Sequence, residues 1–351
     1  MTVDRFPIPS ESLTAFCVSC FKKLGLCDED ARITADNLIF ANLRGVDSHG
    51  VIRLKVYADR LRAGGTNPRA VPKVSREDRT CALIDADNGV GQVASAVAMK
   101  LAISKAEANG IGWVSVTNSN HFGAAAFYAM MALPYNMIGL ALTNASATMA
   151  PSGGREARLG NNPLGIAVPA GKKPPVVLDM ATGAVARGKI FIAQQERKKI
   201  PTTWALDKSG VPTDDADAAA EGLIQPLGGY KGYGLSLLID LFTGVLSGSG
   251  FSTHVGQMYK DLGVPTRSAH ACAALLIDRF IPISEFRQRV DEIIDMMQTC
   301  PRAAGVDRIY VPGEIEHETE LHRRAHGIPL SGALKNELVA LGSELGVQFP
   351  L

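Results

Sequence analysis

The 351-residue sequence lacks an excess of charge of either sign. Thirty-six lysines and arginines nearly balance thirty-five aspartates and glutamates, so the formal net charge at pH 7 is +1. A chain without a strong overall field has no general attraction for nucleic acid or for an anionic membrane surface. We therefore expect neither nucleic acid nor membrane among its partners.

Long apolar runs are also missing. The most apolar helical stretch, residues 235–246, contains Asp240 and is shorter than the roughly 20 apolar residues that a membrane-spanning helix needs. The chain begins Met1-Thr-Val-Asp-Arg and shows neither the apolar core nor the small-residue cleavage site of a secretion signal. These absences predict a cytoplasmic location.

Cysteine is sparse, with six in the whole chain, which argues against a disulfide framework. Cys17 and Cys20 form a C-x-x-C pair, a spacing that occurs in redox and zinc sites. They lie in an apolar helical pattern, however, and no second such pair completes a zinc site. We expect both thiols to pack in a hydrophobic core.

The order of patterns is helical, then alternating, then helical again. Asp28 is placed to cap the second of three early helices, and the third ends at Gly64-Gly65. Between about residues 80 and 180, short apolar runs alternate with helical ones, and a further helix is predicted over 183–199. The strand-like runs are CALIDAD, GWVSVTN, MIGLALTN, LGIAVPA and PVVLDM. This order predicts an α/β protein with one sheet flanked by helices, together with helical lobes.

A glycine motif, Gly89-x-Gly91-x-x-Ala94, follows the first strand of this region and resembles a dinucleotide-binding fingerprint. Two residues separate it from its strand, and the next strand, GWVSVTNSN, ends without the acidic residue that would bind the ribose. About eighty largely helical residues also precede it. We interpret the motif as a turn into a helix that starts at about Gln92.

Four other stretches combine reactive side chains with glycine or proline. They are RGVDSHGVIR (44–53), TNSNHFGAA (117–125), APSGGREARLGNNPLGIAVPA (150–170) and GGYKGYG (228–234). Each alone has a structural explanation, but together they supply histidine bases, an arginine and a lysine. A base near neutral pH takes the proton of an alcohol during its oxidation, and arginine binds a carboxylate through two hydrogen bonds. This combination favours hydride transfer to or from a small hydroxy acid.

At these residues the sequence resembles the non-Rossmann malate/L-lactate dehydrogenase family, also described as L-sulfolactate dehydrogenase-like. That family includes ureidoglycolate dehydrogenase, diketogulonate reductase and piperideine-2-carboxylate reductase. The motifs that carry the resemblance are NLRGVDSHGVIRL, DNGVGQVA, SNHFGAAAFYA, GNNPLGIAVPA, VVLDMATGAVARGKI, IPTTWALD, PLGGYKGYGLSLLID and VPGE. The resemblance implies a mixed sheet unrelated to the Rossmann arrangement, NAD or NADP as cofactor, and a homodimer with active sites near its interface.

The resemblance also implies roles for individual residues. Two histidines compete as proton donor: His49, with Ser48 in a relay, and His121. Arg53 would hold the substrate acid. We favour His49, because it neighbours a hydroxyl and Arg53, whereas a helix N-terminus would lower the pKa of His121. The implied cofactor contacts are His121, Phe122, Gly123, Ala124, Asn144, Asp179, Met180, Ala181, Thr182, Lys231, Pro312, Gly313 and Glu314.

These observations predict two regions: residues 1–75 packed with 281–351 around the Ser-His-Gly site, and a mixed α/β cofactor-binding region over 76–280. The predicted function is an NAD(P)-dependent oxidoreductase of 2-hydroxy and 2-oxo acids. One alternative is a reductase of a cyclic imino acid or a diketo sugar acid. A metal-dependent hydrolase is the rival of another class, suggested by HETELHRRAH (317–326). That stretch lacks the H-E-x-x-H spacing, so we predict no metal site.

Overall fold

The computed structural model describes residues 5–350. Met1–Asp4, part of the N-terminal stretch in which no secretion signal is predicted, and Leu351 lie outside the described residues. The strands are β1 (Arg5–Ile8), β2 (Lys73–Glu77), β3 (Cys81–Asp85), β4 (Ile111–Ser119), β5 (Met137–Thr143), β6 (Leu164–Val168), β7 (Val176–Met180), β8 (Ala205–Leu206), β9 (Pro212–Thr213), β10 (Leu223–Ile224), β11 (Ser268–Leu276) and β12 (Ile328–Ser331). The α-helices are α1 (Ser10–Lys23), α2 (Asp28–Leu43), α3 (Leu54–Ala63), α4 (Gly91–Asn109), α5 (Ala125–Met130), α6 (Arg187–Gln195), α7 (Ala216–Glu221), α8 (Tyr230–Asp240), α9 (Ile283–Gln298), α10 (Glu314–His326) and α11 (Gly332–Leu345).

Seven strands form the main sheet, in the order β2-β3-β4-β11-β5-β6-β7. Only the β3–β4 pair is parallel; the other neighbours are antiparallel. A doubly wound dinucleotide-binding sheet would instead be mostly parallel. The prediction of a mixed, non-Rossmann α/β fold is therefore confirmed.

Small residues let helices pack closely on this sheet. A Cβ added at Gly112 in β4 would lie 2.0 Å from the Ala102 carbonyl oxygen of α4, and one at Gly139 in β5 would lie 2.0 Å from that of Ala129 in α5. Alanines fill much of the same core. Helix and strand backbones thus approach closely on this face, which fixes the strand ends relative to the helices.

The N-terminal helices share a hydrophobic core with the C-terminal segment. Leu13, Phe21 and Leu38 pack in one cluster with Ile328 and Leu341, and β1 pairs with β12. Cys17 and Cys20 are fully buried in this cluster, which confirms that they are core residues. The division of the chain into two regions stays a prediction.

Two local predictions are wrong. Asp28 does not cap α2: it is the first helical residue, Cys27 occupies the cap position, and no side chain caps this end. The helix predicted over 183–199 begins only at Arg187, because Gly183 and Ala184 are paired with the backbone of Pro226 and Gln225. Within residues 5–350, no helix combines the length and apolar character needed to cross a bilayer.

Candidate active site

The end of β4 carries His121 into a cluster of polar side chains. Its Nδ1 atom lies 2.6 Å from the hydroxyl of Tyr57, and the backbone N–H of Gly123 donates to it at 3.3 Å. The side-chain amide of Gln92 in turn donates to the Tyr57 hydroxyl at 3.0 Å. Because Nδ1 accepts the Gly123 N–H, the neutral ring of His121 carries its proton on Nε2.

The Ser-His-Gly sequence forms a single turn of 3-10 helix, Asp47–His49, directly beside this cluster. The imidazole of His49 stacks on that of His121, with ring centroids 5.6 Å apart. Ser48 Oγ lies 3.0 Å from His49 Nδ1. The two histidines that compete for one role in the sequence therefore face the same site.

Arg53 lies at the start of α3, next to both histidines. Its Nε donates to the Ser48 carbonyl at 2.6 Å, and its guanidinium lies 5.5 Å from the centre of the Tyr259 ring. No hydrogen bond within residues 5–350 engages its two terminal nitrogens. These nitrogens are therefore available to a planar acid group.

Burial and positive charge keep both imidazoles neutral. Burial first, and then the charge of Arg53, lower the pKa of His49 to about 4. Burial, His49 and Arg53 hold the pKa of His121 well below its ordinary value. A helix N-terminus was the expected cause for His121, but α5 begins only at Ala125, and desolvation is the dominant cause.

Another arginine, Arg60 of α3, lies behind this cluster and is 2% exposed. One terminal nitrogen donates to the carbonyls of Gly65 and Val264 and to the Asn120 side chain, and its other two nitrogens have no partner within residues 5–350. No described carboxylate pairs with Arg53 or Arg60. The site is consequently electropositive, which suits an anionic substrate.

Tyr57, Gln92 and Arg60 were not singled out by the sequence reasoning. A signal exists for two of them, because Arg53, Tyr57 and Arg60 are spaced i, i+4 and i+7 and so share one face of a helix. Gln92 directly follows Gly91, at a position of the glycine motif that any residue can occupy, so the motif gives no signal for it. Periodicity alone does not distinguish such a polar face from a solvated one.

The backbone closes the glycine motif itself. A Cβ at Gly91 would lie 2.2 Å from the Asn120 carbonyl oxygen and 2.6 Å from that of His121. The side-chain amide of Asn120 also donates to the Asn88 and Gly89 carbonyls. The first turn of α4 therefore packs against the strand end that carries His121, which leaves no room for a pyrophosphate.

The residues that follow His121 are buried support. Phe122 is 1% exposed and stacks on His270 of β11, with ring centroids 4.8 Å apart. The Ala124 N–H donates to the Asn37 side chain, and a Cβ at Gly123 would collide with the same side chain. Their side chains position the turn, so any contact with a ligand would come from its backbone.

Asn144 ends β5, and its side chain is fully engaged. Its amide donates to Asp240 of α8 at 3.0 Å and to the Gly250 carbonyl at 2.8 Å, and its oxygen accepts from the Ala269 N–H at 2.9 Å. The buried Asn144 thus joins the end of α8, the Gly250 loop and the start of β11. Its backbone is paired as well: the N–H donates to the Ala269 carbonyl at 3.2 Å, and the carbonyl accepts from the Thr143 hydroxyl at 3.1 Å.

The end of β7 presents Asp179, Met180, Ala181 and Thr182. The Asp179 carboxylate accepts the Ala126 N–H at 2.8 Å, and desolvation in this concave part of the surface raises its pKa to about 6. Thr182 is fully buried, and its hydroxyl has no partner within residues 5–350. An unpaired buried hydroxyl at a strand end is the kind of group that a bound ligand satisfies.

Two further segments of the implied cofactor set lie on loops. Lys231 is exposed in the first turn of α8, which follows two glycines of positive φ, Gly228 and Gly229. The Pro312 carbonyl accepts the Val177 N–H at 2.9 Å, so this loop packs on β7. Glu314 accepts from Arg308, Gln298 and the Val311 N–H, and its carboxylate therefore stabilises the loop.

The histidines of the 317–326 stretch do not form a metal site. The rings of His322 and His326 stack on the helix surface with centroids 4.3 Å apart, and His326 Nδ1 lies 2.9 Å from the His322 carbonyl oxygen. Across the described residues 5–350, no group of three or more His, Cys, Asp and Glu side chains is placed to hold a metal ion. Nothing in this stretch supports metal-dependent chemistry.

Comparison with known proteins agrees with this geometry. Residues 8–339 match the family model for malate/L-lactate dehydrogenases. Malate dehydrogenase of Pyrococcus abyssi is 41% identical over 349 residues, which cover 97% of this chain and 95% of that protein. A Pseudomonas putida Δ1-pyrroline-2-carboxylate/Δ1-piperideine-2-carboxylate reductase is 30% identical over 343 residues, 97% of each chain.

L-Sulfolactate dehydrogenase of Methanocaldococcus jannaschii is 40% identical over 335 residues, 95% of each chain. Its solved structure matches this fold with a TM-score of 0.93, at 38% identity and 98% coverage of both chains. These similarities extend over nearly all of the sequence and the fold. The chain therefore belongs to the malate/L-lactate dehydrogenase family and is an oxidoreductase that acts on 2-hydroxy acids.

Proposed function

We propose that this dehydrogenase interconverts a small 2-hydroxy acid and its 2-oxo acid with NAD or NADP, using His121 for proton exchange and Arg53 to hold the substrate carboxylate. The observation that carries the proposal is the stacked pair of His49 and His121 beside an arginine with two free nitrogens. The malate and sulfolactate dehydrogenases it resembles are named for small acids of this class.

The residues at the sheet edge fit a nicotinamide dinucleotide. Among residues 5–350 the buried hydroxyl of Thr182 has no hydrogen-bond partner, and the N–H groups of Tyr230 and Lys231 at the start of α8 have none either. Such a helix start suits a phosphate group. The groups that would hold the cofactor are the 121–124 turn, the Asn144 turn, Asp179–Thr182, Lys231 and the Pro312–Glu314 loop. When bound, the nicotinamide would supply or accept the hydride.

Hydrogen bonding favours His121 over His49 as the proton carrier. Nδ1 of His121 is held by Tyr57 of α3 and by the Gly123 N–H of its own turn, while no described hydrogen bond engages Nε2. The Nδ1 atom of His49 is held only by the adjoining Ser48. The preference for His49 that the sequence suggests stays an untested prediction.

The protein groups around His121 accommodate both of its protonation states. The Tyr57 hydroxyl donates to Nδ1 in the Nε2–H tautomer and accepts from it whenever Nδ1 carries a proton, in the Nδ1–H tautomer or the imidazolium. An anionic substrate at Arg53 would raise the depressed pKa of the ring, because a nearby negative charge favours the imidazolium. In reduction the imidazolium would give its Nε2 proton to the 2-oxo oxygen and be left as the Nδ1–H tautomer, and in oxidation that same tautomer would take the hydroxyl proton on Nε2.

Arg53 would orient the acid. Its Nε is tied to the Ser48 carbonyl, so the fork of two terminal nitrogens is fixed in direction and free to bind a carboxylate through two hydrogen bonds. A cyclic imino acid or a diketo sugar acid carries the same carboxylate, and reduction of such a compound is the second candidate. It is favoured by the similarity to the Pseudomonas reductase.

We propose that the working form is a homodimer. One face of α8 and of the π-helical segment that follows it, Leu241–Val245, is apolar and exposed: Leu238 is 50% and Leu246 59% exposed. A continuous patch of this kind marks a protein contact. Sedimentation of the wild-type chain should give a dimer, and Leu238→Glu should give a monomer; a monomeric wild-type chain would refute this proposal.

We also place the protein in the cytoplasm. Its six cysteines are unpaired, and three of them, Cys27, Cys81 and Cys300, are exposed. Free exposed thiols suit a reducing compartment. Fractionation of the native organism with detection of the chain would check this location.

The central experiment follows NADH and NADPH absorbance with a panel of 2-oxo acids (pyruvate, oxaloacetate, sulfopyruvate) and with Δ1-piperideine-2-carboxylate. Turnover of a 2-oxo acid is expected; turnover of the imine alone would select the second candidate. His121→Asn should lower kcat about 100-fold or more, as expected for loss of a general acid. His49→Asn should mainly raise the substrate KM. The reverse pattern would assign proton transfer to His49.

A further inference from the structure

The turn that carries Ser48 and His49 has little structure of its own. It is one 3-10 turn, Asp47–His49, followed by a second at Val51–Arg53 that leads into α3, and so short a segment does not hold its geometry without outside contacts. Asn42 of α2 bridges its two ends: the side-chain amide donates to Asp47 at 2.6 Å, and the side-chain oxygen accepts the Val51 N–H at 2.8 Å. A Cβ at Gly50 would lie 2.2 Å from that oxygen, so the turn packs directly on the amide.

The same turn is also hydrogen-bonded by a residue of α10, near the C-terminal end of the chain. Arg323 of α10 donates to both carboxylate oxygens of Asp47, at 2.6 and 3.0 Å, and also to the Asn42 carbonyl. Arg323 is 9% exposed. The Asp47 side chain is 52% exposed, so the pair is only half-buried, and its directionality comes from its two parallel hydrogen bonds and from the buried arginine.

Neighbouring contacts place α10 along this whole stretch. Glu320 accepts from the buried Arg44 at 3.2 Å, and the Thr319 methyl group would lie 3.1 Å from a Cβ at Gly45. The helix therefore follows the chain from the end of α2 to the start of the turn. Arg323 is the residue of this helix that reaches the turn itself.

We propose that Asn42, Asp47 and Arg323 form a clamp that positions the His49 turn against His121, so that Arg323 is a positioning residue for substrate binding although it does not touch substrate. The inference rests on the proposed function for its kinetic part alone. Loss of the clamp would free the turn, separate the stacked imidazoles and move the Ser48 carbonyl that orients Arg53.

The test compares Arg323→Ala with Arg324→Ala. Arg324 is the adjacent residue of α10 and pairs with Glu320 at the surface, which makes it a matched control. With Arg323→Ala we expect about a tenfold rise in the KM for the 2-oxo acid, an unchanged KM for NAD(P)H, and no change in either with Arg324→Ala. An equal rise in both KM values would indicate a merely structural role.

A second readout does not depend on turnover. The His49 proton resonance, assigned with His49→Asn, is titrated by NMR in the wild type and both variants. Release of the turn should move the pKa of His49 from about 4 toward its ordinary 6.5, because the ring gains solvent and leaves Arg53. The fully buried His270 should stay unchanged and report that the sheet is intact.

The outcomes test the clamp and the proposed function separately. If Arg323→Ala folds and neither the substrate KM nor the His49 titration moves, the clamp is refuted. If Arg323→Ala does not fold, Asp47→Asn removes the charge of the pair while keeping its shape and is put through the same two measurements with the same criteria. If the wild type turns over no acid, the proposed function fails, and the NMR titration still decides the clamp.

Discussion

The glycine turns that precede α4 and α8 differ in whether a ligand can reach them, and only the turn before α8 is accessible. The turn at Gly89 and Gly91 has the sequence motif of a nucleotide site, but the backbone carbonyls of residues 120 and 121 occupy the space next to Gly91. The turn at Gly228 and Gly229 does not match that motif, and no atom of the described residues lies within 4 Å of a Cβ built at either glycine.

The difference shows that glycine permits close approach of any backbone, whether of a ligand or of the protein itself. At Gly91 the approaching chain is the strand end that carries His121. At Gly228 and Gly229 positive φ angles turn the chain sharply into α8, whose first N–H groups have no partner in the described part of the chain. The first turn supports the strand end with the proposed proton carrier, and we propose that the second receives the cofactor.

Substitution of the closed turn should have the largest effect. Gly91→Ala forces a Cβ against two carbonyl oxygens, and overpacking of this kind should cost about 3 kcal/mol of unfolding free energy. Chemical denaturation measures this loss. Gly188→Ala, in a helix with open space, is the control and should be neutral or slightly stabilising. A stable Gly91→Ala with normal cofactor affinity would show that the turn is not closed.

Acid should lower the stability of the region around the Gly91 turn, where the buried histidines lie, and leave the region of the Gly228–Gly229 turn unchanged. Histidine in the unfolded chain titrates near its ordinary 6.5, whereas the pKa of His49 is lowered to about 4, that of His270 to about 3, and that of His121 also lies far below 6.5. Stability from these groups is therefore complete above pH 6.5 and is lost as the pH falls below it.

The raised pKa of Asp179, about 6, acts in the opposite direction and offsets part of this loss. Between pH 7 and 5.5 we expect a net loss of about 2 kcal/mol, from about 1 kcal/mol per histidine. Hydrogen-exchange protection factors, which allow for the slower intrinsic exchange in acid, should fall at the amides of 114–118 in β4 before that of Tyr233 in α8. Equal stability at both pH values would contradict the neutral state of the buried histidines.

Removal of the cation at the open turn should affect binding and not folding. Lys231→Ala should raise the KM for NAD(P)H about tenfold, equivalent to about 1.4 kcal/mol, because an exposed lysine contributes to anion binding alone. Lys208→Ala, at another exposed lysine, is the matched control. Unchanged cofactor KM in Lys231→Ala would remove this turn from the cofactor site.

The smallest effect is expected at Gly228. Gly228→Ala meets no steric obstacle, and its φ of +60° should cost about 1 kcal/mol. Thermal unfolding measures the cost. A loss as large as that of Gly91→Ala would mean that the two turns do not differ.

Sequence reasoning identified the elements of the sheet and the segments of the site, because periodicity and glycine positions are local properties. It did not find the Asp47–Arg323 pair, whose partners are 276 residues apart, or the role of Gln92. It also gave the wrong cause for the low pKa of His121, since burial depends on packing that no local pattern records. The choice between His49 and His121 as proton carrier depends on the hydrogen bonds that Tyr57 and Gly123 make to His121, and these are visible only in the structure.

The position of β11 sets the order in which the protein can form. This strand lies between β4 and β5 at the middle of the sheet, but it follows β5 by 125 residues in the chain, from Thr143 to Ser268. During synthesis both flanking strands emerge well before their shared neighbour. Non-local pairing of this kind slows folding and leaves strand edges exposed. Closure of the sheet, and with it the hydrogen bonds from His270 to Ser119 and Thr143, therefore waits for the last quarter of the chain.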